Sequence, residues 1–202
     1  DPHRVVPSCD RYRPCGGCPF MHMDETGQQM ARTQLVQDAL IDEGFEDFEV
    51  DAFHASPDGQ QEFRHVIKVA VGVSDRGHIR LGAWGRRNRR VVPIPNCEVA
   101  TTGLRHVMKV LAHYVIDMEI QPYDPMADRG VLRSVILRQS RTTGEIMVTM
   151  IAGQRVGALW DLAEQVAQEA TEIAGVWLHV NSSKGNSIFF PDEEGRVRFH
   201  GM

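Results

Sequence analysis

No run of this 202-residue chain approaches the 18 or more consecutive apolar residues that cross a bilayer, so the sequence excludes a helical membrane span. The N-terminus also lacks the apolar stretch behind a basic one that marks a secretory leader. Asp1 to Pro7 carry neither that pattern nor a start methionine, and the chain reads as an excised, cytoplasmic piece with something missing upstream. Repeats and low-complexity tracts are absent. Nor does a glycine-rich turn open a helix: Gly82-Ala83-Trp84-Gly85 falls between two expected strands, a weak place for a nucleotide loop. Disorder is excluded in turn by 42% apolar residues, enough for a true core in one medium domain or two small ones.

Charge is unevenly spread. The formal net charge of -5 argues against a protein that coats nucleic acid with its whole surface. Between Glu62 and Lys109, however, ten basic residues face three acidic ones, a local +7 that leaves -12 for the rest. That asymmetry predicts one positive face on an acidic body, suited to a phosphate-rich partner. The plainer reading is a solvated arginine-rich turn at Arg86 to Arg90.

Cysteine is scarce, four residues in all, and three of them fall within ten positions: Cys9, Cys15 and Cys18, with Cys97 far downstream. A disulfide framework would need two of the crowded three to pair, and nothing else marks a small secreted scaffold. A tetrathiolate metal site fits better, because neighbouring thiolates repel unless a cation neutralises them. Zinc and an iron-sulfur cluster both use Cys-x2-Cys loops. Three cysteines on one loop plus a distant fourth is a common arrangement around a cubane cluster, and Gly16 and Gly17 would let backbone N–H groups approach its sulfides. Pro14 and Pro19 stiffen the loop on either side.

Apolar spacing predicts three helices: about Gln28 to Glu43 (Ala31, Leu35, Val36, Ala39, Leu40, stopped by Gly44), Thr102 to Met118 behind an N-cap at Thr101 or Thr102, and Gly157 to Glu172. In an extended segment, Phe63, His65, Ile67, Val69, Val71 and Val73 share one face while Arg64, Lys68 and Gly72 point the other way. Further strands are expected at Phe48 to Ala55, His78 to Trp84, Val131 to Gln139, Glu145 to Ala152, Gly175 to Val180, Ser187 to Phe190 and Arg196 to His200. Asp75-Arg76-Gly77, Thr142-Thr143-Gly144 and Glu193-Glu194-Gly195 look like hairpin turns. The fold class is therefore α+β: a largely antiparallel sheet, about three helices on one face, and a cysteine-rich metal-cluster loop at the N-terminus. His22, His54 and His179 have no metal-like spacing, and Glu145 belongs to a turn.

Several segments, in order, resemble the RNA uracil-5-methyltransferase family. They are Ser8-Cys9, Cys15-Gly16-Gly17-Cys18, Gln34-Leu35, Phe63-Arg64, and Leu81-Gly82 through Val91-Val92-Pro93-Ile94-Pro95-Asn96-Cys97. Leu132 to Arg138, Thr143 to Val148, Val180-Asn181 and Gly185-Asn186 continue the likeness. The resemblance implies that Cys9, Cys15, Cys18 and Cys97 ligate a [4Fe-4S] cluster. It further implies an S-adenosylmethionine-binding methyltransferase domain beyond Met202, and RNA as the partner, ribosomal rather than transfer.

Carbon-5 methylation needs a nucleophile to add at C6 of uracil, a cysteine thiolate in that family. A cluster would occupy all four thiols here, so the expectation is no catalytic residue in this chain. Within the resemblance, Arg86, Arg87, Arg89 and Arg90 would touch phosphates, Arg64 and Lys68 would reach the substrate strand, and Trp84 or Phe63 would stack on an unpaired base. The implied division is a cluster loop at 1–26, a helix-strand segment at 27–58 that packs on the missing domain, and an RNA-recognition domain at 59–202. The helix at 28–43 would then show an apolar strip or a dimer contact. The rival reading is a free-standing RNA-binding module stapled by zinc or a cluster, with no enzyme attached. An iron-sulfur electron carrier fits poorly, because it leaves the +7 region without a role.

Overall fold

The structure is a computed structural model that describes residues 2–56, 59–87, 90–185 and 187–202. Among these residues three helices and a seven-stranded sheet form the α+β fold the sequence predicts. The helices are α1 (Glu25–Asp42), α2 (Thr102–Asp117) and α3 (Ala158–Glu169). The strands are β1 (Val66–Val73), β2 (Ile79–Trp84), β3 (Val91–Val92), β4 (Leu132–Gln139), β5 (Ile146–Ala152), β6 (Ile173–Val180) and β7 (His200–Gly201).

The sheet order is β3-β2-β1-β4-β5-β6-β7. Every pairing is antiparallel except β5 with β6, because α3 carries the chain back across the sheet between them. Gly77 and Gly144 take positive φ at the two tight turns that join β1 to β2 and β4 to β5, as their position in those turns requires.

Alternation along the strands builds the core. Ile67, Val69 and Val71 of β1 pair across with Leu81 on one side and Val135 and Leu137 on the other, so one sheet face is continuously apolar. Leu104, Val107, Leu111 and Val115 of α2, and Leu159, Leu162 and Val166 of α3, close over that face and over Val148, Met150 and Leu178. Thr101 caps α2 by accepting the Leu104 N–H at 3.4 Å. Helix α1 starts earlier than its apolar pattern, at Asp24, whose carboxylate accepts the Gly27 N–H at 2.7 Å. It adds little to the core. Leu35 is 56% exposed, and Met30, Val36 and Ala39 are exposed with it.

Two expected strands are absent. Phe48 to Ala55 is irregular: no sheet edge reaches it, and its backbone bonds instead to the Gln37 side chain, through Phe48 O and through the Val50 N–H at 3.2 Å. Ser187 to Phe190 also forms no ladder, and of Arg196 to His200 only His200 joins a strand. Buried side chains replace the ladder there. Asn181 Nδ2 donates to Ser187 O and Ile188 O, the Phe190 N–H donates to His179 Nε2, and His179 Nδ1 donates to Arg198 O. The turn at Glu193 to Gly195 forms, but it closes no hairpin. Among the described residues, no helix is long and apolar enough to cross a membrane.

Candidate metal centre and nucleic-acid interface

The N-terminal loop is a series of turns, because its prolines and glycines suit neither helix nor strand. Its backbone closes locally, the Tyr12 N–H on Cys9 O at 3.1 Å and the Cys15 N–H on Arg11 O at 2.8 Å. Four ties fix it to the sheet. Cys15 bridges to Gly85 at the end of β2, and the Arg86 N–H donates to Pro14 O at 3.0 Å. Ser8 Oγ donates to Glu98 Oε2 at 2.5 Å, and Arg64 Nη2 donates to Gly17 O at 3.0 Å.

Cys97 arrives from the opposite direction. Beyond β3 the chain turns twice, with the Cys97 N–H on Ile94 O and the Ala100 N–H on Cys97 O, before α2 begins. Arg105 in the first turns of α2 clamps this corner, donating to Ala100 O at 2.6 Å and to Cys97 O at 3.4 Å while pairing with Glu62 at 2.5 Å. The sequence reading counted Arg105 only as charge. A cation eight positions after a candidate ligand, at the start of a helix, was the available signal.

All four cysteines line one depression of about 240 Å³, together with Arg64 and Lys68. Each is a free thiol of intermediate exposure. Among the described residues, no group of three or more His, Cys, Asp or Glu side chains is gathered closely enough to hold a single metal ion. The thiols nevertheless feel one another. Burial pushes the Cys18 thiol above its ordinary value; Arg64 pulls it back, and Cys97, Cys15 and Cys9 push it further up. Burial also raises Cys9, opposed by the Arg11 N–H and reinforced by Glu98, Asp10 and Cys97. Burial thus favours the protonated form of Cys9 and Cys18 until a cation neutralises their thiolates.

The basic residues divide. Arg64 is partly covered and spent on the cysteine loop, with its guanidinium also 5.9 Å from the Phe63 ring centroid. Lys68 projects from the sheet face opposite the helices, where burial and then the nearby Arg133 lower its pKa. Arg86 and Arg87 are exposed beside Trp84, itself 50% exposed. Arg90 is exposed and ion-paired with Asp75 at 2.7 Å. Arg89 lies outside the described residues, as does Asn186. His179 is buried and structural, and Glu145 is held in its turn by Thr143 at 2.8 Å.

No protein-family profile matches the chain. Its sequence is similar to proteins named as uncharacterized RNA methyltransferases. One, from Clostridium tetani, is 24% identical over 187 residues, 92% of this chain and 40% of that protein. Another, from Halalkalibacterium halodurans, is 28% identical over 193 residues, 93% of this chain and 41% of that protein. Among solved structures, the tRNA (uracil-54, C5)-methyltransferase of Pyrococcus abyssi, in complex with S-adenosyl-L-homocysteine, matches with a TM-score of 0.68 at 22% identity. That match covers 100% of this chain and 42% of the archaeal one, and it shows a shared fold. The chain is thus similar in sequence to proteins named RNA methyltransferases and spans about two fifths of the length of the relatives it matches.

Proposed function

We propose that this chain is the RNA-recognition part of an S-adenosylmethionine-dependent RNA uracil-5-methyltransferase of the cytoplasm, and that Cys9, Cys15, Cys18 and Cys97 hold a [4Fe-4S] cluster. The observation that carries the reading is the convergence of the four thiols: residues 9–18 and residue 97 arrive from separate elements and line one depression, in a chain related over nearly its whole length to proteins named RNA methyltransferases. A structural zinc ion draws four sulfurs to about 2.3 Å from one point. These thiols share one cavity, and three cysteines on one loop with a distant fourth is the arrangement common around a cubane cluster.

In this reading residues 1–26 form the cluster loop, 27–58 pack on a methyltransferase domain or on a second copy, and 59–202 carry the RNA surface. Arg86, Arg87, Arg89 and Arg90 meet phosphates, Arg64 and Lys68 reach the substrate strand, and Trp84 or Phe63 stacks on an unpaired base, while Arg64 also orders the cysteine loop. The substrate is ribosomal rather than transfer RNA. The chemistry of methyl transfer lies with the domain that binds S-adenosylmethionine, and this chain's own residues position RNA. Within the loop a bound cluster would supply fixed positive charge that keeps the four thiolates ionised.

The test is iron, sulfide and zinc content with a visible spectrum on protein purified without oxygen. About four irons and four sulfides per chain, lost in Cys97→Ser, are expected. One zinc and no colour would overturn the cluster and favour the rival reading, a metal-stapled RNA-binding module.

A further inference from the structure

Across Arg64 and Cys18 from the cysteine depression lies a second, larger one of about 510 Å³, between the start of α1, the end of the cysteine loop and the irregular segment that leads into β1. Its size falls within the roughly 300–1,000 Å³ of small-ligand pockets. Its walls bring together three phenylalanines, Phe20, Phe53 and Phe63, and three arginines, Arg32, Arg64 and Arg141. Glu25 is the one acidic side chain on its described lining.

Several details distinguish this surface from leftover core. The guanidinium of Arg32 lies 5.5 Å from the Phe20 ring centroid, and that of Arg64 lies 5.9 Å from the Phe63 ring centroid, so flat cationic and flat aromatic groups already face one another. Phe63 is 38% exposed, so part of its ring remains open to a ligand in this depression. On the α1 side a buried amide, Gln28, is held in place: Nε2 donates to Met23 O at 3.1 Å and to Gln60 Oε1 at 2.7 Å, and Oε1 accepts from Arg32 at 3.3 Å.

The chain as a whole carries -5, yet this lining is strongly cationic. An acidic peptide would satisfy the arginines and leave the rings bare. An apolar tail would cover the rings and leave the arginines desolvated. A ligand that is flat, aromatic and anionic satisfies both, and a nucleotide has that combination.

We propose that this depression is a subsite for one unpaired nucleotide of the RNA, its base stacked on Phe63 or Phe53 and its phosphate met by Arg32. The assignment rests on the RNA-binding reading above and adds to it: sequence-blind affinity comes from the Arg86 region, whereas this pocket requires a base.

The test compares two single-stranded ligands of about twelve nucleotides, oligouridine and an abasic ribose-phosphate chain of equal length, binding to the full-length protein by fluorescence anisotropy at several salt concentrations. The parent protein is expected to prefer oligouridine by about tenfold or more, within the roughly five- to hundredfold that stacking of one base contributes. Phe63→Ala and Phe63→Leu should both remove most of that preference while leaving the abasic affinity unchanged. The leucine variant keeps apolar bulk without a flat ring, so it separates stacking from folding. Arg32→Ala should weaken both ligands to a similar degree. If the parent binds both chains equally with a steep salt dependence, or if the preference survives in Phe63→Ala and in Phe53→Ala alike, the pocket assignment is overturned and the RNA reading stands. If the parent binds neither ligand at any salt concentration, the RNA reading itself falls.

Discussion

Gly82 offers a sharp test of how the sheet delivers Cys97. A Cβ at this position would lie 1.9 Å from Val92 O, 2.6 Å from Val92 C and 2.8 Å from Pro93 Cα. All three are backbone atoms, so no rotamer change relieves the clash and β3 must part from β2. With it go the Ala83–Val92 and Trp84–Val91 pairings, and the seating of Val91 and Ile94, which are both buried. Overpacking of this kind costs about 1–3 kcal/mol, and the rigidity of the colliding atoms argues for the upper end. At roughly 2–4 °C per kcal/mol for a chain of this size, Gly82→Ala should lower the melting temperature by about 6–12 °C. Gly77→Ala is the control: its φ of +78° is strained for alanine, but nothing lies within 4 Å, so it costs only the left-handed conformation, about 1 kcal/mol. Thermal melts by circular dichroism compare the two, and alkylation of Cys97 reports whether the corner after β3 has loosened. The reasoning is refuted if Gly82→Ala melts no lower than Gly77→Ala, or if Cys97 reacts in it no faster than in the parent.

Two further outcomes follow from charge. Removing Arg86 or Arg87, both exposed, should weaken RNA binding to the same extent on any sequence and reduce the slope of log affinity against log salt by about one each, read from titrations at several salt concentrations; an unchanged slope would remove that arginine from the interface. Asp192 is held below its ordinary pKa by the Arg196 N–H, at 2.9 Å, and then by Arg198. Because the folded value is the depressed one, its stabilising effect is complete above the unfolded-state value near 4 and is lost as pH falls through the folded value. The Glu194 and Arg196 amides, which donate to the Asp192 carboxylate, should therefore lose protection from hydrogen exchange in acid, and Asp192→Asn should show that loss already at neutral pH.

What the sequence reveals is what periodicity encodes. Leu104, Val107, Leu111 and Val115 mark the buried stripe of α2, and Ile67, Val69 and Val71 mark the buried face of β1, because a core imposes its spacing on any element that covers it. Where the chain is tied by individual side chains, period is silent. The alternation in Phe48 to Ala55 and Arg196 to His200 reads as strand, yet a strand needs a free edge, and the edge was not visible in the sequence. His179 holds the second of these regions through Arg198 O, and Asn181 holds residues 187–188, polar side chains that no pattern announces. The same limit applies at the candidate site. Spacing brought Cys9, Cys15, Cys18 and Cys97 together as a set and put Arg64 and Lys68 on one side of β1. That Arg64 is engaged with Gly17, and that Arg105 holds the Cys97 corner, depends on how chain segments meet and not on their order.

Those two arginines explain how the site is built across a gap of 79 positions between Cys18 and Cys97. Segment 62–64 runs beside 98–100, with the Glu62 N–H on Glu98 O at 2.9 Å and the Arg64 N–H on Val99 O at 2.8 Å. From that shared track Arg64 reaches the loop that carries Cys15 and Cys18, while Glu62 anchors Arg105, which grips the corner that carries Cys97. One short stretch of backbone just ahead of β1 thus ties both halves of the thiol set to the same place. Hydrogen bonds from guanidinium groups to carbonyl oxygens are charge-assisted, worth about 1.5–3 kcal/mol where partly covered. They are directional as well, so they restrict where the thiols sit and not merely how firmly the loop adheres. In the proposed cluster reading, these contacts meet part of the ordering cost that a loose four-cysteine loop would impose on binding, and the final approach of the thiols accompanies the cation.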